Sequence, residues 1–83
     1  MTLTTDQARD LVAGAVRRIV PDAEVETLPA DEDLTWAFEL DSLDFLGFVE
    51  ALCEDAGVRL DEEDYPALRT MGTATALLQE RLA

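Results

Sequence analysis

The chain has no histidine, no lysine and a single cysteine among its 83 residues, and each absence closes a route to chemistry. A nucleophilic Ser or Cys normally needs a neighbouring base, so most routes to an autonomous hydrolase are removed. Cys53 cannot close an intramolecular disulfide and, with no base beside it, reads as a helix-flank residue without a special role. Aromatics are scarce, at 6%, which leaves Leu, Val and Ala to fill the interior. No apolar run reaches bilayer-spanning length and the N-terminus lacks a secretory pattern, so cytoplasmic residence without a membrane partner is expected. One domain, residues 1–83, with one modest core accounts for the length, and it leaves little room for an enclosed substrate cavity. A monomer is expected.

What the chain has in excess is negative charge: 19 acidic residues against 6 basic ones, for a net charge of −13. Such a field repels phosphate backbones, which excludes nucleic acid, and it speeds encounter with basic protein surfaces. Calcium-sensor loops do not fit the acid clusters. Counting from Asp31, Trp36 and Ser42 fall where an EF-hand needs Gly and a bidentate Glu, and from Asp61 the glycine position is Pro66. No metal site is expected.

Helical periodicity organises the rest. Thr4-Thr5-Asp6-Gln7 has the form of a capping box, and Ala8, Leu11, Val12, Ala15 and Ile19 make an apolar stripe that ends before Pro21. Gly14 within this helix is expected to mark a close helix–helix contact. From Pro21 to Asp41 the chain reads as a long ordered loop, with Val25, Leu28, Leu34, Phe38 and Leu40 tucked beneath it. Trp36 is expected at the core or its edge, an exposed partner anchor being the alternative.

A second helix starts with Asp41 as N-cap, buries Phe45, Phe48, Val49, Leu52 and Ala56, and ends at Gly57. Leu43, Leu46, Gly47, Glu50 and Glu54 fall on its other face, with Cys53 at the boundary. Residues 61–68 suggest a short third element limited by Pro66, with Tyr65 as a packing residue. A last helix capped by Thr70 turns Met71, Ala74, Leu77, Leu78 and Leu82 inward. The expectation is an all-α, irregular four-helix bundle: three longer helices, one short one, and a long loop between the first two.

Ser42 stands out within this frame. Leu40-Asp41-Ser42-Leu43-Asp44 opens the second helix, so the hydroxyl lies in its first turn amid acids. Alone, Asp-Ser is an ordinary helix start. Taken together, that segment, the long loop before it, the stripe after it and residues 61–82 resemble an acyl carrier protein over nearly the whole chain. The resemblance implies a four-helix bundle whose matching residue, Ser42, receives 4′-phosphopantetheine from coenzyme A. The arm's thiol then holds acyl groups as thioesters, and the protein is a substrate of enzymes rather than an enzyme itself.

Partners implied are a phosphopantetheinyl transferase, using Mg²⁺, and acyltransferases, ligases or synthases with basic docking patches. Asp41, Asp44, Glu50, Glu54 and Asp55, with Leu43 and Leu46, are the candidate docking residues. Glu39 stands where such carriers commonly have Gly, and Gly47 and Cys53 stand where acids are usual. Phe45-Leu46 and Asp64-Tyr65-Pro66-Ala67-Leu68 look like a subset of stand-alone bacterial carriers, which points from fatty-acid housekeeping toward polyketide or related specialised metabolism. The rival expectation is an unmodified acidic adaptor that acts through protein contacts alone.

Overall fold

Thr4 begins the first helix as the sequence predicts: its hydroxyl accepts the Gln7 N–H at 3.1 Å, and the Gln7 side chain accepts the Thr4 N–H at 2.9 Å. A computed structural model of the chain describes residues 3–82. In it α1 runs Thr5–Ile19, and Arg17 and Arg18 lie at its negative end. Ala8, Val12, Ala15 and Val16 are fully buried, while Leu11 and Ile19 are half-buried. The apolar face is therefore rotated toward Val16.

A single helical turn, α2 (Leu34–Ala37), interrupts what the sequence suggests is plain loop. Asp33 caps it, accepting the N–H groups of Thr35 and Trp36 at 2.8 and 3.2 Å. Four residues carry too little periodicity to betray a helix. Next comes α3, Ser42–Ala56, capped reciprocally by Asp41 and Asp44. It closes at Gly57, whose φ of 67° is the left-handed value such a cap requires. The N–H groups of Gly57 and Val58 both bond the Cys53 carbonyl there.

A 3-10 helix, Glu62–Arg69, precedes α4, Met71–Arg81. Pro66 lies inside the 3-10 helix rather than ending it. Its ring would strike the i−4 carbonyl of an α-helix and it has no N–H to give, which favours the tighter winding. Thr70 caps α4 through the Thr73 N–H, as predicted. Helix α1 packs against both α3 and α4, and α4 against the 3-10 helix.

The result is all-helical and compact. Its radius of gyration is 11.3 Å, close to the roughly 12 Å expected at this length. Among the described residues, no helix is long and apolar enough to cross a membrane. Phe48, Leu52, Leu34, Leu68 and Leu78 are the bulky fully buried side chains, joined by Met71 at 1% exposure.

Two glycine expectations change. A Cβ at Gly14 would meet nothing within 4 Å, so Gly14 marks no close approach. At Gly47 a Cβ would come within 3.0 Å of Ile19 Cδ1. The residue placed on the outer face of α3 is thus where α1 comes close.

Arginines fasten the connections. Arg17 pairs with Glu26, and Arg69 holds Asp33 at 3.1 Å. Arg81 grips the buried Asp64 with both guanidinium nitrogens, which ties α4 to the 3-10 helix. Three carboxyls lie below their ordinary values: Asp64 and Glu26 through hydrogen bonds from Arg81 and Arg17, and Asp33 chiefly through that from Thr35. A lowered folded-state value stabilises above the unfolded one, and that stabilisation disappears as pH falls through the folded value.

Acid should therefore unfold the chain progressively below about pH 4. At neutral pH the net charge of −13 opposes compaction, so added salt should raise the melting temperature. Calorimetry across pH and ionic strength checks both. A melting temperature flat from low to moderate salt would contradict the self-repulsion.

Candidate functional site

Two consecutive helix boundaries place Ser42. At the end of α2 the Glu39 N–H bonds the Trp36 carbonyl at 3.4 Å and the Leu40 N–H bonds the Thr35 carbonyl at 2.9 Å. This is the Schellman pattern, and it demands a left-handed residue at Glu39, whose φ is 53°. Leu40 is thereby turned into the core at 9% exposure. Asp41 follows at once as the cap of α3, which puts Ser42 at the first helical position, exposed.

Glu39 bears strain that glycine would not. A side chain in the left-handed region costs on the order of 1 kcal/mol or more, offset in part by the extra freedom glycine gives the unfolded chain. Glu39→Gly should raise stability by up to about 1 kcal/mol, read from urea denaturation. A loss of stability would mean that the Glu39 side chain supports the turn.

Helix geometry leaves the first amides of α3 without intrahelical partners. Asp41 takes that of Asp44 at 2.8 Å, while Asp44 reaches back to the Asp41 N–H at 3.3 Å. Each carboxylate thus spends one oxygen on a backbone N–H and keeps the other free. The amides of Ser42 and Leu43 remain at a helix N-terminus, where an anion is stabilised.

Beside the serine lies an open cleft of about 370 Å³, lined by Thr35, Leu40, Asp41, Ser42, Phe45, Leu46, Tyr65 and Arg69. Tyr65 meets Phe45 edge-on, with ring centroids 5.5 Å apart, and so forms part of the wall. Arg69 is the cation of this cleft. It donates to Asp33 Oδ2 and Thr35 Oγ1, each at 3.1 Å. Sequence reasoning missed it, because nothing local signals that Arg69 folds back to Ser42. Another depression, about 320 Å³, has Asp6, Arg9, Asp10 and Glu26 in its wall, a charged lining that suits water better than an apolar ligand.

The other candidate residues separate into two groups. Asp41, Leu43, Asp44, Leu46 and Glu50 all lie on or beside the exposed face of α3, with Leu43 79% and Leu46 41% exposed. Glu54 and Asp55, at the far end, sit against Arg18 of α1 at 3.8 and 3.1 Å. The acids near Ser42 are therefore the freer ones. Cys53 is half-buried at the flank.

Trp36 departs from its expected place. It is 79% exposed, because the buried position of α2 goes to Leu34, which has no exposure at all. Among the described residues, no group of three Cys, Asp or Glu side chains could hold a metal ion. No family model matches the chain, and no curated protein or solved structure matches it.

Proposed function

We propose that the chain is an acyl carrier protein that takes a phosphopantetheine arm on Ser42. The single observation that carries this reading is an exposed serine at the first position of α3, beside unpartnered helix amides and next to an open cleft. In the same reading α1, α3, the 3-10 helix and α4 are the four members of the carrier bundle, and α2 is a turn within its long loop.

The residues suit the group. The amides of Ser42 and Leu43 would face the phosphodiester, and Phe45 and Leu46 offer apolar surface beside it, with Arg69 in the same cleft held on Asp33. When bound, the arm supplies a thiol on a flexible tether, on which acyl groups are carried as thioesters. Attachment forms the Ser42 Oγ–phosphorus bond and breaks the phosphoanhydride of coenzyme A, with adenosine 3′,5′-bisphosphate as the leaving group. The serine proton leaves to a base of the transferase.

Presentation and address are the remaining tasks of the polypeptide. Asp41, Asp44 and Glu50, with Leu43 and Leu46, form an acidic and apolar strip that complements a basic enzyme surface. Fatty-acid, polyketide and related specialised pathways all use such chemistry, and the Tyr65-Pro66 element favours the specialised ones.

Intact mass after incubation with coenzyme A, Mg²⁺ and a broad-specificity phosphopantetheinyl transferase tests the reading. One added phosphopantetheine per chain is the expected result. A mass that does not change would favour the unmodified adaptor instead.

A further inference from the structure

We propose that Trp36 is a docking anchor, buried on contact by the basic protein surface that modifies Ser42. The inference rests on the carrier reading and adds a second recognition element, on the loop side of the serine and apart from α3. A tryptophan 79% exposed in a chain with one Trp and few aromatics is a large apolar surface left to water.

The fold holds that surface in place. Leu34, two residues earlier in the same turn, is fully buried, and the Asp33 carboxylate accepts the Trp36 N–H at 3.2 Å. Arg69 pins the other oxygen of that carboxylate at 3.1 Å, and Asp33 forms a backbone bridge with Thr70. The backbone beneath the indole is thus tied to the core and to α4, so little ordering entropy is lost on binding. An indole presented in this way has the character of an interface hot spot.

Position selects the partner. Trp36 shares one open cleft with Glu39 and Asp41, and Asp41 shares the next with Ser42; Thr35, Leu40 and Asp41 belong to both. A protein that covers Ser42 closely enough to react there meets the indole. Charge selects its chemistry. Glu39 and Asp41 line the cleft beside the indole, and Arg69 is already held by Asp33, so a basic rim around an apolar socket is the complement. An arginine there could stack on the indole face while pairing with Glu39.

The test compares wild type, Trp36→Ala and Trp36→Phe as substrates of a purified broad-specificity transferase with coenzyme A and Mg²⁺. Trp36→Ala should raise KM about tenfold or more with kcat little changed, and Trp36→Phe should recover most of the loss. Melting of the variants should match wild type, because the side chain packs on little. Fluorine NMR of the lone tryptophan, labelled as 5-fluorotryptophan, should show its resonance shift when transferase is added without coenzyme A. An unchanged KM or an unmoved resonance, with the wild type still taking its arm, overturns the anchor alone. A wild-type chain that takes no arm overturns the carrier reading and the anchor together.

Discussion

Ser42→Ala is expected to abolish arm attachment while leaving the fold unchanged. The side chain lies at the first helical position, exposed, and the α3 cap runs between Asp41 and Asp44 without it. Removing the hydroxyl therefore disturbs no cap and opens no cavity. Alanine is also a good helix former, so thermal stability should stay within about 0.5 kcal/mol of wild type. The chemical effect is all or none, because alanine has no hydroxyl at that position to take the arm. Paired measurements, intact mass after the transferase reaction and a melting curve, check the two halves of this expectation. Residual attachment in the alanine variant would place the arm elsewhere.

Phe48→Ala should have the largest effect on stability. Phe48 is fully buried in α3, and its ring lies 6.0 Å from that of Phe45. Truncating a buried Phe to Ala costs about 3–5 kcal/mol through lost transfer energy and the cavity left behind. A small domain holds only about 5–15 kcal/mol in total, and a shift of 4–8 °C per kcal/mol puts the expected fall in melting temperature above about 12 °C. Urea denaturation with an unchanged slope would confirm a loss of stability rather than a changed unfolded state. A loss under about 1 kcal/mol would mean that the α1–α3 interface re-forms around the gap. The damage should extend to function, since Phe45 and Tyr65 line the cleft beside Ser42 and Phe45 packs on Phe48.

These two cases show what local chemistry makes legible. Caps are decided by residues three or four apart, so Thr4, Asp41, Gly57 and Thr70 announced the ends of their helices before any tertiary contact was considered. Ser42 was legible for the same reason, being one residue after a cap. Trp36 was not. Leu34 and Trp36 lie in one four-residue turn, and which of them faces inward depends on how α2 meets the core and on the Asp33–Arg69 pair, whose partners are 36 residues apart.

Gly14 and Gly47 illustrate the same division. Small size permits a close approach, but the crossing of α1 and α3 chooses where it happens, and it chose Gly47 beside Ile19. A signal for α2 did exist in Asp33 followed by Leu-Thr-Trp, an N-cap before a hydrophobic residue, but a single turn adds no stripe to support it. Glu39 offered another: the proposed carrier reading implies Gly there, and the observed φ of 53° is the conformation for which glycine is suited.

The proposed docking strip is similarly divided between what the sequence shows and what the fold decides. Helical spacing alone puts Leu43, Leu46 and Glu50 on the outer face of α3. It does not reveal that Arg18 lies against Glu54 and Asp55, a pairing across 36 and 37 residues that leaves the acids nearest Ser42 as the freer charges. If the proposed function holds, partner enzymes are accordingly expected to bind the Ser42 end of α3.

The central claim is that Ser42 carries a phosphopantetheine arm loaded with acyl groups, and site-resolved mass spectrometry of protein purified from its own cells tests it most directly. A peptide spanning Ser42 that carries the arm, part of it as an acyl thioester released by hydroxylamine, is the expected result. A bare Ser42 in every molecule, in cells whose transferase modifies other carriers, would contradict it.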